Sequence, residues 1–363
     1  MKLTVDLRMY RHSGIGRYLR NILPSLLPLL TADRLGILGS RETIGDAAWL
    51  HDPRIELIET SAAIYGIQEQ LSLRNAYRDA DLLWIPHYNA PLWHKGKTIV
   101  TIHDVAPLAM PEILGNAIKR GYAKLLIENA TSHASAILCV SDFTRRELSS
   151  RLAIEAQKMT VTHLGPDADW PESATPHGEA DGRPYLLYVG NVKPNKNLGA
   201  LLRAFSSVLD CLPHRLILAG KMHGFGTGDA AVIQQAQSMG ERVRFTGEVD
   251  DTGLQQLYAG ADALVLPSLY EGFGLPLLEA MQLGCPVLSS NAGSLPEISG
   301  GAALYFDPRS DTDMARCLLQ VTEKSLMNTL RERGQKRVQE FSFQHCAKQS
   351  AAVMNGLIVE ASS

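Results

Sequence analysis

A chain of 363 residues, 45% hydrophobic and 20% charged, is long enough for two globular cores, because a domain usually has about 150 residues. Its formal net charge of −3 excludes the basic surface that non-specific nucleic-acid binding requires, so we expect no nucleic-acid partner. No apolar run reaches the roughly 18 residues of a membrane helix. The charged opening MKLTVDLRMY does not resemble a signal peptide, and the five scattered cysteines indicate reduced thiols. We therefore expect a cytoplasmic location.

The first half of the chain alternates short apolar runs with helical patterns. The predicted strands are KLTVDL, LGILGS, RIELIE, DLLWIP, KTIVTIHD and AILCVS. Continuous apolar runs of this kind are typical of a parallel sheet that is covered on both faces. The first helix, from about Gly16, contains Pro24 and Pro28, which predicts a kink or an early end.

Residues 166–184 interrupt this alternation with four prolines, two glycines and five acidic residues, which indicates a linker. The strand and helix pattern then restarts, with predicted strands PYLLYVG, HRLILAG, RVRFTG, ALVLPS, PVLSS and ALYFD. The pattern predicts an α/β protein with two Rossmann-like, doubly wound domains that face each other across a cleft. We place the domains at residues 1–166 and 184–344, with a closing helix at about 345–363 that packs back on the first.

The most informative stretch is YEGFGLPLLEAM, in which a loop follows a buried strand and leads into a helix. Gly272 and Gly274 would let backbone N–H groups approach a pyrophosphate, and the helix N-terminus adds a positive dipole end. Glu271 in the loop and Glu279 in the helix can accept hydrogen bonds from ligand hydroxyls. The pattern therefore predicts a nucleotide-sugar site at the carboxyl edge of the second sheet.

Glu271 and Glu279 form an E-x7-E motif, and with it the sequence resembles glycosyltransferase family 4, the retaining enzymes of GT-B fold. The resemblance implies that Glu271 contacts the transferred sugar and Glu279 the ribose of the donor. It also places Phe273 and Leu275 of the same string in the donor site. Residues 1–166 would then bind the acceptor and residues 184–344 the nucleotide sugar.

The segment YLLYVGNVKPNKN resembles the family pattern V-G-R-x-x-x-x-K-N/G, in which Arg and Lys neutralise the donor diphosphate. Gly190 makes the turn, and Lys196 stands at the lysine position. Asn191 replaces the arginine, which removes one positive charge from the expected leaving-group site. Lys221 in the LAGK turn, or Lys193, could supply a substitute.

Five further donor-site residues rest on weaker patterns or on the resemblance. Gly14 and Gly16 follow the first strand in SGIGRY, and the corresponding loop of family members approaches the donor phosphates. His103 ends an apolar strand in TIVTIHD, where similar enzymes place a histidine near the transferred sugar. Val249 and Leu254 lie in the segment that, by resemblance, brackets the nucleotide base. The predicted catalytic residues are His103, Lys196 and Glu271.

Three D-x-D strings suggest metal binding, at 79–81, 167–169 and 311–313. The first precedes a strand, the second lies in the linker, and the third opens a helix. None lies at the predicted pyrophosphate site. We expect no metal and no other cofactor, with lysines and a helix dipole supplying the positive charge.

The predicted function is retaining transfer of a hexose to a glycan or lipid-linked saccharide. The GIGRY and VG-x-x-x-P-x-K-N strings resemble bacterial mannosyltransferases of surface-polysaccharide and lipopolysaccharide synthesis, which favours GDP-mannose as donor and is compatible with peripheral contact with the inner membrane. Alternatives are a transferase for UDP-glucose or another UDP-hexose, a GT-B sugar-nucleotide epimerase, and a non-catalytic sugar-nucleotide-binding protein. A Rossmann oxidoreductase is disfavoured, because Gly14 and Gly16 lack the third glycine of GxGxxG.

Overall fold

The chain forms two compact units in the computed structural model. The structure describes residues 1–362 except 61–63, 65–72, 74–76, 93, 95, 172, 177–181 and 222–228. The first unit comprises residues 1–109, 115–164 and 342–363, and the second comprises 110–114 and 165–341. Part of the predicted linker therefore lies outside the described residues.

The first unit is built on a seven-stranded parallel sheet in the order β3-β2-β1-β4-β5-β6-β7. Its strands are β1 Lys2–Asp6, β2 Arg34–Gly39, β3 Ile55–Glu59, β4 Leu82–Ile85, β5 Lys97–Ile102, β6 Ala136–Cys139 and β7 Met159–Val161. Leu3 on β1 is in register with Leu35 on β2 and Leu82 on β4, and all three side chains are fully buried. Burial on both faces explains why β1, β2 and β4 are apolar without alternation, whereas β3 at the edge of the sheet has exposed glutamates.

Helices flank this sheet, and two of the longer ones begin at a residue whose side chain caps the helix. Asn116 caps one helix by accepting from the Lys119 N–H at 2.9 Å, and Ser141 caps the next by accepting from the Thr144 N–H at 3.0 Å. The helices are α1 Ser13–Leu26, α2 Arg41–Ile44, α3 Ala106–Ala109, α4 Ala117–His133 and α5 Asp142–Leu152.

The last helix of the chain, α13 (Phe343–Ser362), packs against α1. Asn355 fixes its position by donating to the Leu29 carbonyl at 2.9 Å and accepting from the Thr31 N–H at 3.0 Å. Helix α13 is therefore an integral part of the first unit.

The second unit is built on a six-stranded parallel sheet in the order β10-β9-β8-β11-β12-β13. Its strands are β8 Tyr185–Val189, β9 Arg215–Ala219, β10 Val243–Gly247, β11 Ala263–Leu266, β12 Val287–Ser290 and β13 Leu304–Phe306. Its helices are α6 Leu198–Ser206, α7 Ala230–Ser238, α8 Asp251–Gly260, α9 Leu275–Gln282, α10 Leu295–Ser299, α11 Asp311–Leu319 and α12 Lys324–Val338. Short 3-10 turns occur in both units, at Leu27–Leu29, Ala48–His51, Pro111–Leu114, Ala156–Lys158, Pro194–Lys196, Gly240–Arg242 and Gln320–Thr322.

Every strand predicted from the sequence is present, and both sheets have the doubly wound order. The structure adds β7, whose three residues are too few to form a recognisable apolar run and which lies at the edge of the sheet beside β6. Helix α1 begins at Ser13 and continues through Pro24 to Leu26, and a 3-10 turn with Pro28 follows it.

The two glycines of SGIGRY have different surroundings in α1. A Cβ atom on Gly16 would lie 2.4 Å from the Tyr10 carbonyl oxygen, which also accepts a hydrogen bond from Arg20 at 2.8 Å. A Cβ atom on Gly14 would have no neighbour within 4 Å. Gly16 is therefore required by packing within the first unit, whereas Gly14 is not.

We expect Gly16→Ala to lower the free energy of unfolding by about 2 kcal/mol, because the added methyl group must displace backbone. Gly14→Ala is the matched control and should be neutral or stabilise by roughly 0.5–1 kcal/mol, as alanine does within helices. Urea denaturation followed by circular dichroism measures both changes. Equal stability of the two variants would contradict the assigned contact.

Candidate active site

The candidate site of the second unit lies at the carboxyl ends of β8 and β11, which are neighbours in the sheet. The chain order of the strands reverses here, because β9 lies on one side of β8 and β11 on the other. Ligands of doubly wound sheets bind outside the carboxyl ends of the strands at such a position. The predicted residues Lys196 and Glu271 follow these two strands.

The Glu271 carboxylate is held by two donors. Lys196 Nζ lies 2.5 Å and Ser268 Oγ 2.7 Å from the same oxygen, Oε1. Among the described residues, Oε2 accepts no hydrogen bond. The side chains of Lys196 and Glu271 are 24% and 14% exposed, so the ion pair is partly shielded from water. One of the two carboxylate oxygens is thus fixed by the protein.

The backbone of the glutamate loop is anchored to a neighbouring loop. The Glu271 carbonyl accepts from the Ser294 N–H at 3.1 Å and from Ser294 Oγ at 3.0 Å, and Ser294 Oγ also lies 2.8 Å from the Phe273 carbonyl oxygen. Gly293 permits this approach, because a Cβ atom there would lie 2.8 Å from the Glu271 carbonyl oxygen. Gly272 is buried within this loop.

Two asparagines join the lysine loop to the glutamate loop. Asn195 accepts from the Leu269 N–H at 2.8 Å and donates its side-chain amide to the Tyr270 carbonyl at 3.3 Å. Asn197, at a left-handed φ of 56°, donates to the Pro267 carbonyl at 3.1 Å. These bonds hold Lys196 opposite Glu271.

Helix α9 starts in a form suited to an anion. Gly274 precedes it at a φ of 101°, and no side chain caps this helix start. The backbone N–H groups in the first turn of a helix have no partner within the helix, and with the positive dipole end they can bind an anion. Leu275 is its first residue, whereas the Phe273 side chain is buried against Phe341 at 6.2 Å between ring centroids. Of these predicted donor-site residues, Phe273 can offer a ligand only its backbone.

Glu279 occupies a more enclosed position than a helix-surface residue. Its side chain is 2% exposed, and Oε2 accepts a hydrogen bond from the Tyr258 hydroxyl at 2.8 Å. The sequence pattern gives no sign of this partner, because Tyr258 lies 21 residues earlier on α8.

The turns after β8 and β9 lie against each other. A Cβ atom on Gly220 would lie 2.3 Å from the Gly190 carbonyl oxygen, and Asn191 Oδ1 accepts from the Lys221 N–H at 3.2 Å. Lys221 Nζ lies 3.0 Å from Glu248, and both side chains are exposed. Asn191 therefore joins two turns, and the Lys221 ammonium is paired at the surface.

The two residues assigned to the nucleotide base flank the start of α8. Asp250 caps this helix by accepting from the Gly253 N–H at 2.8 Å. Val249 is half-buried just before the cap, whereas Leu254 is buried.

In the first unit, His103 follows β5 and is held in one tautomer. Its Nε2 lies 3.0 Å from the Pro86 carbonyl oxygen, which can only accept, so Nε2 carries the proton and Nδ1 can accept from a ligand. Burial lowers the pKa of His103 to about 4, although the Pro86 hydrogen bond opposes this shift. The ring packs edge-on against Tyr18 at 4.9 Å. His103 is therefore neutral at physiological pH.

A second histidine, His87, lies at the same edge of the first sheet and is buried. Its Nδ1 accepts from the Asn89 N–H at 3.0 Å. Burial lowers the pKa of His87 to about 4, and the Asp6 carboxylate only partly offsets this effect. Asp6 itself is paired with Arg8 at 2.6 Å in the protein interior.

In each of the three D-x-D strings, at least one aspartate side chain has a structural role. Asp81 accepts from the Lys2 N–H at 2.7 Å, Asp167 accepts from the Asp169 N–H at 3.2 Å, and Asp311 pairs with Arg203 at 2.7 Å. Within the described part of the chain, no cluster of three His, Cys, Asp or Glu side chains could hold a metal ion.

Comparison with known proteins decides the family. A model described as Glycosyltransferase Family 4 matches residues 38–170, and one described as Glycosyl transferases group 1 matches residues 183–324. The O-antigen chain mannosyltransferase B of Escherichia coli is 32% identical over 310 residues, which are 81% of this chain and 78% of that protein. The chain belongs to glycosyltransferase family 4. A serotype-specific mannosyltransferase WbdA of Escherichia coli is 29% identical over 76% of this chain, but the match spans only 35% of that longer protein.

Solved structures agree with the GT-B fold of this family. Sucrose-phosphate synthase from Thermosynechococcus elongatus has a TM-score of 0.75 at 18% identity, covering 99% of this chain and all of that one. Anabaena Alr3699/HepE in complex with UDP and glucose has a TM-score of 0.74 at 17% identity, covering 98% of this chain and all of that one. The family 4 chain is thus a glycosyltransferase with two Rossmann-like domains. In its described part, no helix has both the length and the hydropathy that a membrane crossing requires.

The structure brings the predicted residues Lys196 and Glu271 together. No sequence pattern indicates the residues that hold the two glutamates and their loop. Ser268, Ser294 and Tyr258 belong to no motif, and single serines and tyrosines occur throughout the chain. The PNKN string contains Asn195 and Asn197, but their hydrogen-bond partners follow a strand about 70 residues later, so the local sequence does not predict these bonds.

The lowered pKa values of His87 and His103 predict a loss of stability in acid. The unfolded chain binds their protons below about pH 6.5, whereas the folded chain does so only near pH 4, so stability falls as the pH decreases between these values. Each histidine contributes at most about 1.4 kcal/mol per pH unit. We expect His87→Asn and His103→Gln each to flatten the dependence of the urea midpoint on pH in this range. His133→Gln, which removes an exposed histidine, is the control, and a wild-type slope in both buried-site variants would refute the assignment.

Proposed function

We propose that this glycosyltransferase moves mannose from GDP-mannose, with retention of configuration, to a lipid-linked saccharide of a cell-surface polysaccharide. The observation that carries the proposal is the Glu271 carboxylate, which Lys196 and Ser268 hold by one oxygen at the carboxyl edge of the sheet. The similarity to O-antigen and serotype-specific mannosyltransferases supports mannose. The alternative donor is a UDP-hexose, which the likeness to HepE in complex with UDP and glucose favours.

In this proposal the second unit binds the donor. Glu271 Oε2 accepts from a hydroxyl of the sugar, and Glu279 faces the ribose. The α9 N-terminus and the Lys196 ammonium neutralise the diphosphate, while the segment at Val249 and Leu254 contacts the base. Lys196 has three N–H donors, so a diphosphate oxygen can bind it while Glu271 keeps one.

In this proposal the first unit binds the acceptor, and His103 in that unit accepts a hydrogen bond from a sugar hydroxyl. Because its Nδ1 is unprotonated, His103 can accept from a sugar hydroxyl but cannot donate a proton there. In the reaction, the anomeric C–O bond to the diphosphate breaks and the acceptor oxygen bonds to the same face of the sugar. The acceptor proton passes to the released phosphate oxygen, so no protein side chain needs to act as nucleophile.

Charge on the leaving diphosphate is stabilised in this scheme by Lys196 and by backbone N–H groups. We therefore propose that transfer does not depend on a metal ion.

We expect Glu271→Gln to lower kcat for mannosyl transfer at least about 100-fold, because the neutral amide binds the sugar less strongly and leaves Lys196 without its counter-charge. The assay follows release of GDP from GDP-mannose with a lipid-linked acceptor, in the presence and absence of EDTA. Glu332→Gln, an exposed change on α12, is the control.

A Glu271→Gln enzyme with wild-type kcat and donor KM would rule out the proposed site. Faster turnover of UDP-glucose than of GDP-mannose would show that the donor is a UDP-hexose. Loss of activity in EDTA would refute metal independence. Turnover of the donor at the same rate without acceptor would favour an epimerase or a hydrolase instead of a transferase.

We further propose that the first unit works against the cytoplasmic face of the membrane through α4. Ile118 and Leu125 on this helix are 84% and 49% exposed, and they lie seven residues apart on one helical face. The exposed Lys119 and Lys124 flank them. Apolar side chains bordered by lysines suit a surface of anionic lipids.

Co-sedimentation with vesicles tests this surface. We expect binding to phosphatidylglycerol vesicles that decreases with added salt, and little binding to phosphatidylcholine vesicles. Lys119→Glu with Lys124→Glu should abolish binding, whereas Lys324→Glu with Lys336→Glu on α12 should not. Equal loss in both double variants would show that net charge, not α4, drives the association.

A further inference from the structure

The buried carboxyl group of Glu279 is held by a tyrosine. Tyr258 is fully buried, and its hydroxyl donates to Glu279 Oε2 at 2.8 Å. Placing a carboxyl group in the protein interior requires hydrogen-bond donors. Because Tyr258 holds Oε2, it restrains the rotation of the carboxyl group and hence the direction of Oε1.

The ring of Tyr258 is in turn held by the segment that enters the second unit. Trp170 is buried and lies against it, with 6.0 Å between ring centroids at an angle of 56°. Gln282, on the same helix as Glu279, donates its side-chain amide to the carbonyls of Trp170 at 3.0 Å and Asp167 at 3.3 Å. Residues 167–170 are thus fastened to the helix that contains Glu279.

We propose that Tyr258 is a positioning residue for recognition of the donor ribose, and that Trp170 supports it. This inference rests on the proposed contact between Glu279 and the ribose. A carboxyl group that rotates freely spends less time with its acceptor oxygen directed at a ribose hydroxyl. The bond from Tyr258 keeps that oxygen in one direction. The chemical class recognised is a nucleoside diphosphate whose ribose hydroxyls are present.

A purely structural hydrogen bond would predict a different result. If Tyr258 only stabilised the fold, its removal would affect ribonucleotides and deoxyribonucleotides equally. If it positions Glu279, the effect must depend on the ribose hydroxyls.

The test is calorimetric binding of GDP, 2′-deoxy-GDP and 3′-deoxy-GDP, or of the uridine series if UDP-hexose proves to be the donor. We expect Tyr258→Phe to weaken binding of the ribonucleotide about tenfold, the loss of one hydrogen bond to a carboxylate. We expect it to leave unchanged the affinity for the deoxynucleotide that lacks the contacted hydroxyl. In steady-state assays the donor KM should rise more than kcat falls.

Tyr185→Phe is the matched control. The Tyr185 hydroxyl is also buried in the second unit and donates to the Leu257 carbonyl at 2.8 Å, next to Tyr258, so its removal costs a comparable hydrogen bond without touching Glu279. It should leave the ratio of GDP to deoxy-GDP affinities at the wild-type value. Trp170→Phe should lower that ratio in the same direction as Tyr258→Phe, and a wild-type ratio would remove Trp170 from the proposal.

Glu279→Gln separates the two levels of the argument. If Glu279→Gln lowers the affinities for GDP and for both deoxynucleotides by the same factor, Glu279 does not contact a ribose hydroxyl. The proposed role of Tyr258 is then wrong as well. If Glu279→Gln couples to a ribose hydroxyl but Tyr258→Phe does not, only the positioning role of Tyr258 is overturned.

Discussion

The candidate site depends on one ion pair, between Lys196 and Glu271. The two residues lie 75 positions apart and meet because β8 and β11, the strands that precede them, are neighbours in a parallel sheet. A partly buried pair of this kind stabilises only when further hydrogen bonds satisfy its polar atoms, and Ser268 supplies one of them. The asparagines on both sides of Lys196 add backbone bonds between the same loops, so the loops hold the pair in position instead of relying on its attraction alone.

Rigidity of the loop around Glu271 comes from the backbone. Ser294 bonds the carbonyls of Glu271 and Phe273, and Gly293 leaves the space for that approach. Phe273 adds a buried ring. A carboxylate whose backbone is fixed at both ends does not need to reorganise when a sugar binds, which is the condition under which electrostatic contacts contribute most to a transition state.

The sequence was sufficient for the sheets and for the positions of the glutamates, because strands buried on both faces leave apolar runs and the glycine-rich loop leaves a motif. It was not sufficient for β7, whose three residues lie at an edge. It also could not predict that Glu279 lies in the interior under Tyr258, since a single helical turn can present a glutamate to solvent or to the core. Such pairings depend on how α8 and α9 pack, and contacts between side chains far apart in the chain leave no local pattern.

Packing also changes the expected charge distribution at Asn191, which stands where the family pattern has an arginine. Asn191 accepts from the Lys221 N–H, so the position that would bear a charge instead joins the turns after β8 and β9. The Lys221 ammonium lies on Glu248, but both side chains are exposed, and an exposed pair is worth little. A diphosphate could therefore draw Lys221 away from Glu248 at small cost, whereas the Lys196–Glu271 pair is partly buried and shares its carboxylate oxygen with Ser268. In the proposed donor complex the two lysines would then have different roles. Lys196 would hold Glu271 and bind the phosphate from a fixed position. Lys221 would move to the phosphate and supply the positive charge that Asn191 lacks.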